Sequence, residues 1–587
     1  MKRIHFGLFF LLISVLNLNC QKEFSGAGPG TIGRENNVSA PIIATLQGNI
    51  LDETGQPAEG VQIKVGYKTA TTNANGYFRI VDAELDENAS LVTAEKPGYF
   101  KAFRTFSATS AVNQVVIKLL KKTLAGTVDA GSGGEITFSN DAKILLPANG
   151  VIKELDGSAY TGSINVYASY IDPTAADIRE TIPGSLMAND RNNKRVSLVS
   201  FGMMAVVLES AAGEKLQIEK NHTAKLTTPI PLSVQSSAPT SISLWYVDEQ
   251  SGLWKEEGTA TKNGATYIGD VKHFTFWNAD FSQPAITLSM TLKNAKGQPI
   301  VYANVQVSGT QGGAGHGYTD SLGQVTGLVP ANENLILQIF DQCGAAVYSQ
   351  NIGPFSQNTN LGNITISNST PSIITVEGKL LNCSNDPVTD GYAIIYVDNI
   401  ARYAATNSNG DFSTTFVTCS ANVTTCEILG IDDAASQQGI TMNTTITSPV
   451  TSAGNIQACG TSATEFVNYN LDGIDYSLSK PGTDSLFAYS SPGPAQSFTT
   501  SVMGYKLNDG INFNFINNGA AGIFALNNLY VMGLNNTGLI KPFTVTLTSY
   551  PQNIGEFYEG SFGGQFRDST DLTTLHDISC SFRVRKY

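Results

Sequence analysis

The sequence has few charged residues, few histidines and tryptophans, and no long apolar segment outside its N-terminus. Of its 587 residues 14% are charged, against about 25% in a typical domain. Acidic residues outnumber basic ones by 49 to 36, and the net charge of −13 argues against nucleic acid as a partner, because phosphate must be neutralised by Lys and Arg. Neither heptads nor Gly-X-Y triplets are sustained, which excludes a coiled coil and collagen. Hydrophobic residues make up 41%, so the chain can bury several cores and is not wholly disordered.

Motifs of catalysis and of metal binding are missing as well. The four histidines beyond the N-terminus form no HExxH or His-x-His pair, and neither a G-x-S-x-G elbow nor a phosphate-binding glycine loop occurs. An S-x-x-K pattern ends at Lys480 but lacks its partner motifs, so we interpret it as coincidence. Neighbouring acidic residues such as Glu256 and Glu257 point to opposite faces of a strand, so they do not form the facing carboxylates of a glycosidase. No loop has the regular Asp/Asn spacing of a calcium site. The sequence predicts no enzyme, no cofactor and no metal site.

The N-terminus has the pattern of an export signal. Lys2 and Arg3 precede an apolar run, 6–16, that is shorter than the roughly 20 residues of a spanning helix. Cys20 follows directly, and a glycine-rich stretch comes after it. We therefore expect residues 1–19 to be a signal peptide and residues 20–44 to be a flexible linker. No later segment has the length of a transmembrane helix.

A cysteine at this junction resembles the lipidation site of bacterial lipoproteins, in particular those of the Bacteroidetes. The resemblance implies that Cys20 carries the lipid and becomes the mature N-terminus, although Leu18 and Asn19 stand where small residues are usual. The polar residues after Cys20 resemble the surface-export tag of that phylum. Several acyl chains would give a stable anchor in the outer membrane. The alternative is an ordinary signal peptide with an accidental cysteine.

Three segments repeat one β-pattern. They begin at Gly48, Thr291 and Gly378, and in each the apolar alternation of two strands flanks a turn that reads GQP, GQP or NDP. A second turn follows in each segment, reading TNANGYF, TDSLGQV or TNSNGDF. Gly and Asn accept the positive φ of such turns, and Pro presets its own φ. The pattern predicts hairpins that build sheets, which bury one face against a second sheet.

The three segments resemble the carboxypeptidase regulatory-like domain, a small transthyretin-like β-sandwich. The first segment is the most similar, and its Lys96–Tyr99 stretch (KPGY) fits a later turn of that family. The resemblance implies a non-catalytic module that often adjoins enzymes, receptors or surface proteins. We therefore predict an all-β fold of tandem transthyretin-like or immunoglobulin-like sandwiches after a lipoprotein signal peptide, with these divisions: 45–122, 123–283, 284–370, 371–463 and 464–587.

Two other regions add β-structure. Between the first two repeats, SLWYVDEQSGLWKEEGT and VKHFTFWNAD resemble the extracellular part of cartilage intermediate layer proteins, which implies a β-rich extracellular domain and no chemistry. At the C-terminus, FYEGSFGGQF and ISCSFRVRKY resemble the last sandwich of Bacteroidetes lipoproteins, where a Tyr-Glu-Gly strand pairs with a basic terminal strand.

Six cysteines remain besides Cys20, and in an exported chain they favour disulfides over a zinc site, because no CxxC spacing occurs. Four lie in the third repeat, and their pairing stays open. The other two either pair across domains or stay free and buried. The candidates are Cys383, Cys419, Cys426, Cys459, Cys343 and Cys580.

Four side chains are candidates for binding. Trp245, Trp254 and Trp277 would form a stacking platform for glycans if exposed, although burial is the commoner state of tryptophan. His316 lies in GGAGHG, which we expect to be an exposed glycine loop that a ligand could approach.

We interpret the chain as a non-catalytic surface lipoprotein, a stalk or binding module whose partners are the membrane, through its lipid, and a glycan or surface protein. One alternative is an accessory glycan-binding subunit of an outer-membrane nutrient-uptake system. A further alternative is a hydrolase whose acidic residues converge only in three dimensions.

Overall fold

A computed structural model describes residues 41–586 apart from short gaps at 73–75, 311, 342–343, 367–372, 398–399, 419–422, 433, 448, 481–483, 495–496, 507–508, 535–536, 540–542, 553–554 and 569–573. The signal peptide and Cys20 lie outside the described residues, as do Cys343 and Cys419. The predicted all-β fold of tandem sandwiches is confirmed.

The first repeat, named repeat 1, is a sandwich of two sheets. One sheet has the order β4-β1-β7 and the other β3-β2-β5-β6, and a common core fills the space between them. Alternation of apolar and polar residues along each strand turns one face inward. The strands are β1 (Ile42–Leu51), β2 (Gln62–Val65), β3 (Lys68–Thr71), β4 (Tyr77–Leu85), β5 (Ser90–Glu95), β6 (Ala102–Phe106) and β7 (Asn113–Lys118).

The next segment, named the middle domain, is a larger β-structure with two apolar cores. Its main path of paired strands is β11-β15-β14-β20-β17-β18-β19-β16-β10-β9. It comprises β8 (Leu124–Asp129), β9 (Gly134–Thr137), β10 (Lys143–Leu146), β11 (Val151–Lys153), β12 (Ser163–Ile171), the short helix α1 (Ile178–Thr181), β13 (Met187–Asn189), β14 (Arg195–Ser210), β15 (Lys215–Ile218), β16 (Ala224–Pro229), β17 (Ser241–Val247), β18 (Trp254–Asn263), β19 (Thr266–Val271) and the first half of β20 (Phe276–Asn294).

Strand β20 belongs to two domains. Its first half pairs with β14 and β17, whereas its second half, from Ala285, pairs with β23 and β26 of the second repeat, named repeat 2. No loop separates the two domains at this point. The remaining strands of repeat 2 are β21 (Asn304–Gly309), β22 (Ala314–Tyr318), β23 (Gln324–Pro330), β24 (Leu335–Phe340), β25 (Ala346–Ile352) and β26 (Thr359–Ile366).

Repeat 3 and the C-terminal domain complete the chain. Repeat 3 contains β27 (Ile373–Leu381), β28 (Gly391–Val397), β29 (Ile400–Ala405), β30 (Asp411–Val417), β31 (Thr425–Asp432), β32 (Gln437–Gln438), β33 (Met442–Thr445), β34 (Val450–Gln457) and β35 (Thr461–Ser462). The C-terminal domain contains β36 (Glu465–Leu471), β37 (Ile474–Lys480), β38 (Ser485–Pro492), β39 (Phe498–Lys506), β40 (Asp509–Asn517), β41 (Gly522–Val531), β42 (Thr537–Leu539), β43 (Thr544–Ser549), β44 (Phe557–Asp568) and β45 (Leu575–Arg585). The predicted pairing of the Tyr-Glu-Gly strand with the basic terminal strand is confirmed, since β44 is antiparallel to β45.

The three repeats share one topology. In each, a central strand (β1, β20 or β27) is antiparallel to one neighbour and parallel to another. The turn after the central strand is also the same. The first residue of this turn has a side-chain oxygen that accepts hydrogen bonds from two backbone N–H groups. The residue three positions after it has a positive φ, of 83°, 79° and 64° in repeats 1, 2 and 3. The accepting residues are Asp52, Asn294 and Asn382. The sequence analysis identified the Gly or Asn and the Pro of this turn. It did not identify the Asp or Asn whose side chain accepts the two hydrogen bonds.

Contacts also join domains that are distant in the chain. Tyr77 of repeat 1 stacks on Tyr403 of repeat 3, with ring centroids 3.5 Å apart. The side-chain amide of Gln47 donates to the Tyr403 carbonyl oxygen at 3.0 Å. At the other end of repeat 3, the Gln438 amide donates to the Gly555 carbonyl oxygen of the C-terminal domain. The tandem sandwiches are therefore braced against one another rather than joined only through chain neighbours.

Asp280, in the first half of β20, is a carboxyl group with no exposed surface. Its Oδ2 accepts a hydrogen bond from the Asn278 amide at 2.6 Å, and among the described residues its Oδ1 has no partner. Burial raises the pKa of Asp280 well above its usual value. The fold therefore favours the neutral form of this carboxyl group over the charged form.

Asp280→Asn is expected to stabilise the protein at pH 8. The raised folded-state pKa means that the stability linked to Asp280 is fully present below about pH 4 and is lost as the pH rises above that value. The introduced amide does not ionise, so the variant does not lose stability as the pH rises. At pH 8 its free energy of unfolding is expected to exceed that of wild type by on the order of 1–3 kcal/mol. Urea unfolding at pH 5, 7 and 8 measures the difference. Asp270→Asn is the control, because Asp270 is exposed. The prediction would be contradicted if the difference in unfolding free energy between Asp280→Asn and wild type did not increase with pH.

Candidate functional site

A cavity of about 440 Å³ lies where repeat 1, the middle domain and repeat 2 meet. Repeat 1 contributes β6, β7 and the loop between them, the middle domain contributes α1, β14 and nearby loops, and repeat 2 contributes β21, β22 and β23. Its size falls in the range of about 300–1,000 Å³ that is typical of small-molecule sites. Thr174, one of its lining residues, is exposed, so the cavity opens to solvent on that side.

The wall from repeat 2 is the open edge of a sandwich. Strands β22 and β23 belong to different sheets, so no backbone ladder closes the gap between them. Both strands carry glycine where they line the cavity. A Cβ atom on Gly327 would have no heavy atom within 4 Å, and one on Gly317 would have only Val325 at 3.7 Å. The missing side chains at these positions leave room for the cavity.

His316 lies on strand β22, so the expectation of an exposed glycine loop is corrected. Hydrogen bonding of β22 to β21 places the GHG segment in a sheet, and the imidazole lines the cavity. Its Nε2 lies 2.9 Å from Oδ1 of Asn304. Burial, reinforced by the charges of Arg104 and Arg179, holds the pKa of His316 well below its usual value. The ring is therefore neutral at neutral pH and presents a polar group to the cavity.

Two arginines from different domains line the same cavity. Arg104, on β6, is 6% exposed and donates to the carbonyl oxygens of Glu180 at 2.9 Å and Gly184 at 3.3 Å. Arg179, on α1, donates to Oε1 of Gln306 at 3.3 Å, and its guanidinium carbon lies 3.9 Å from the ring centre of Phe340. Within the described part of the chain, the Nε atoms of both arginines are buried without a hydrogen-bond partner.

The acidic groups near the cavity are already engaged or partly neutralised. Asp320 carries the one carboxylate among the described lining residues, and it accepts hydrogen bonds from Leu322 N, Gln324 N and the Thr109 hydroxyl. Burial raises the pKa of Asp320 and that of Glu180, although the nearby Arg179 and Arg104 counteract the effect on Glu180. The lining thus has two guanidinium groups facing few available negative charges.

The three tryptophans lie inside the middle domain, so they do not form the exposed stacking platform considered from the sequence. At most 2% of each side chain is exposed. Each indole N–H donates to a backbone carbonyl oxygen, that of Asp280 for Trp245, Ser185 for Trp254 and His273 for Trp277. Burial of large apolar rings with one satisfied polar atom accounts for this placement.

In the described part of the chain no disulfide is present, and Cys383, Cys426, Cys459 and Cys580 are free thiols. Cys426 is buried in the core of repeat 3 and Cys580 in that of the C-terminal domain, so these two do not meet. Cys383 and Cys459 are close enough to interact. The interaction with Cys383 is the main cause of the raised pKa of Cys459, and the Cys459 thiol also donates to Oε1 of Gln457 at 3.9 Å. The remaining candidates, Cys343 and Cys419, lie outside the described residues.

The described residues contain no cluster of three or more His, Cys, Asp or Glu side chains that could hold a metal ion. Among them there is also no helix that is long and apolar enough to cross a membrane.

No protein-family model matches the chain. A segment of 155 residues, 25% of this chain, is 26% identical to cartilage intermediate layer protein 2 of Mus musculus, and a segment of 125 residues is 24% identical to the protein of the same name of Homo sapiens. These matches span 13% and 10% of the two relatives. The expected resemblance to this family is therefore confirmed over part of the chain.

Among solved structures, the chain is similar to two pilins at low sequence identity. The shaft pilin spaA of Lactobacillus rhamnosus GG is 8% identical, with a TM-score of 0.16 and coverage of 30% of this chain and 99% of that one. BcpA, the major pilin subunit of Bacillus cereus, is 8% identical, with a TM-score of 0.12 and coverage of 71% and 99%. TM-scores this low do not establish a shared arrangement of domains.

Sequence reasoning found one residue of this cavity, His316, and missed Arg104 and Arg179. Neither arginine stands in a motif, and they are 75 positions apart in the chain. They come together because repeat 1 packs on the middle domain, where Thr105 N donates to Gly184 O and Gly184 N donates to Phe103 O. A contact of this kind has no local signature in the sequence.

Proposed function

We propose that the protein is a non-catalytic binding protein, exported and held at the outer membrane by a lipid on Cys20. Its three repeats are proposed to be carboxypeptidase regulatory-like sandwiches, which is supported by their common topology and turn geometry. The observation that carries the binding function is the cavity between three domains. Its walls come from parts of the chain that only the packed domains bring together, and it has the size of a small-molecule site.

The packing between domains supports a role in presenting this cavity. Repeat 1 contacts three other domains. Its Arg104 donates a hydrogen bond to the middle domain, its Thr109 donates one to Asp320 of repeat 2, and its Tyr77 ring stacks on repeat 3. A site on braced domains is held in place before its ligand arrives, so less conformational entropy is lost on binding. The outward position on a cell surface would let the loops at the sandwich ends contact glycans or proteins.

Protease treatment of intact cells, followed by detection of this protein, tests the location. With wild type we expect loss of the band under a non-permeant protease. Cys20→Ala is expected to abolish the lipid anchor. The variant protein should then no longer fractionate with the outer membrane, and no variant protein should be digested at the cell surface. The exposed Cys383→Ala serves as the matched control and is expected to behave as wild type. A band that is protected in wild type and in Cys20→Ala alike would overturn the surface location.

A further inference from the structure

The cavity between repeat 1, the middle domain and repeat 2 contains two cationic groups that no carboxylate of the described residues contacts directly, although Glu180 interacts with both electrostatically. Among the described residues, the polar contacts of the Arg104 and Arg179 guanidinium groups are with carbonyl and amide oxygens, and neither group is ion-paired with a carboxylate. Buried charges in proteins are normally paired or bound to a ligand, because leaving them unpaired is costly. A ligand that carries negative charge would add the direct ion pair that Glu180 does not form with either arginine.

The shape of the guanidinium group favours an anion that offers two oxygens side by side. Its N–H donors form a rigid fork that fits two oxygens of a carboxylate or of a phosphate, and we take the carboxylate as the proposed group. Arg179 is held against the Phe340 ring and by Gln306, and Arg104 by two backbone carbonyl oxygens, so both groups are oriented before any ligand binds. Each keeps a buried Nε without a partner in the described structure.

The rest of the lining indicates a hydroxylated ligand body. Side-chain amides and hydroxyls line the cavity together with apolar side chains, a combination that suits a ligand with hydroxyl groups on an apolar ring. The polar set comprises Ser107, Asn113, Gln114, Ser197, Ser308 and Thr326. Apolar groups on the same walls include Val199, Met203, Val325 and Leu328.

We propose that this cavity binds an acidic sugar, with its carboxylate at Arg104 and Arg179 and its hydroxyl groups toward the polar lining residues and His316. The proposal rests on the proposed binding function and names its ligand class. A free acidic monosaccharide and the acidic end of a longer glycan share this chemistry. The opening beside Thr174 is where a longer glycan would leave the cavity.

Calorimetric titration of the full chain, purified in detergent, tests the ligand class. The probes are glucuronate, a glucuronate-terminated tetrasaccharide, glucose and inorganic sulfate. We expect glucuronate to bind at least about tenfold more tightly than glucose, since a hydrogen bond to a charged group contributes more than one between neutral groups. Tighter binding of the tetrasaccharide would assign the site to glycan ends, and equal binding would assign it to the free sugar. No heat with either acidic sugar, or sulfate binding as tightly as glucuronate, would overturn the proposal.

Two variants locate the binding. Arg179→Gln keeps a polar side chain but removes the charge, and we expect it to weaken glucuronate binding by about tenfold or more. Gly327→Leu places a side chain in open space in the cavity, without a positive φ to strain it, and is expected to abolish binding. Arg191→Gln is the matched control, because Arg191 is an exposed arginine of the middle domain that pairs with Glu256. Glucuronate binding that survives both cavity variants would overturn the site.

A measurement on wild type does not depend on how the variants fold. A dicarbonyl reagent modifies arginine side chains, and mass spectrometry of the digested protein reports each position. We expect glucuronate to protect Arg179, which is only partly buried, and to leave the modification of Arg191 unchanged. Equal modification of Arg179 with and without glucuronate would overturn the proposal. The titration and the protease test are independent. A negative titration rejects the ligand class alone, and a protected band on intact cells rejects the location alone.

Discussion

Trp254→Ala is expected to destabilise the middle domain by about 3–5 kcal/mol, the usual cost of deleting a buried aromatic side chain from a core. The Trp254 side chain has no exposed surface, and the core around it includes Phe100 and Phe103 of repeat 1. Its indole N–H bonds Ser185, which lines the cavity. The substitution therefore removes packing from a domain and from an interface at once.

Denaturant unfolding followed by tyrosine and tryptophan fluorescence measures this effect. The control is Leu155→Ala, because Leu155 is 97% exposed in the same domain and its removal leaves no internal cavity. We expect the free energy of unfolding of Leu155→Ala to lie within about 0.5 kcal/mol of that of wild type. An unfolding midpoint of Trp254→Ala equal to that of the control would show that the ring does not hold the core.

Oxidation is expected to join Cys383 and Cys459. The two thiols interact, Cys383 is exposed, and both cysteines lie at an end of the repeat 3 sandwich, Cys383 after β27 and Cys459 after β34. A bridge there would close a loop containing most of repeat 3. The chain-entropy estimate for a loop of that size is a stabilisation of roughly 4 kcal/mol. The export that we propose would bring the protein into the oxidising conditions under which such bridges persist.

Peptide mapping without reduction, together with thermal unfolding with and without reductant, tests the bridge. Wild type should yield a linked Cys383–Cys459 peptide and lose stability on reduction. Cys383→Ser should be insensitive to reductant. Cys580→Ser, which changes a thiol buried in the C-terminal domain, should keep the linked peptide. Absence of the linked peptide from the oxidised wild type would contradict the prediction.

The fold could be predicted from the sequence because its signals are local. Alternating strands, turns with Gly, Asn and Pro, and their recurrence at three places indicate tandem β-sandwiches without any long-range information. The strand pairing at the C-terminus followed from the same kind of pattern. The burial of the tryptophans follows from the size of their rings.

The cavity between repeat 1, the middle domain and repeat 2 could not be predicted in the same way. Arg104 and Arg179 meet only when separate domains pack together, and no spacing in the chain records that contact. His316 drew attention because glycines surround it, but the same glycines suggested a loop, whereas pairing with β21 makes the segment a strand. The meeting of Cys383 with Cys459 was one of several pairings that the sequence left open.

The continuity of strand β20 gives the joint between the middle domain and repeat 2 a particular mechanical property. Its hydrogen bonds to β14 lie on one side of Ala285 and those to β23 on the other, and in such ladders the bonds lie across the strand direction. A force that stretches the protein along β20 therefore loads both ladders in shear, and many bonds must break together before the chain extends. A protein tethered at one end and pulled at the other, as happens to surface proteins in flowing liquid, would transmit tension through this joint without a hinge.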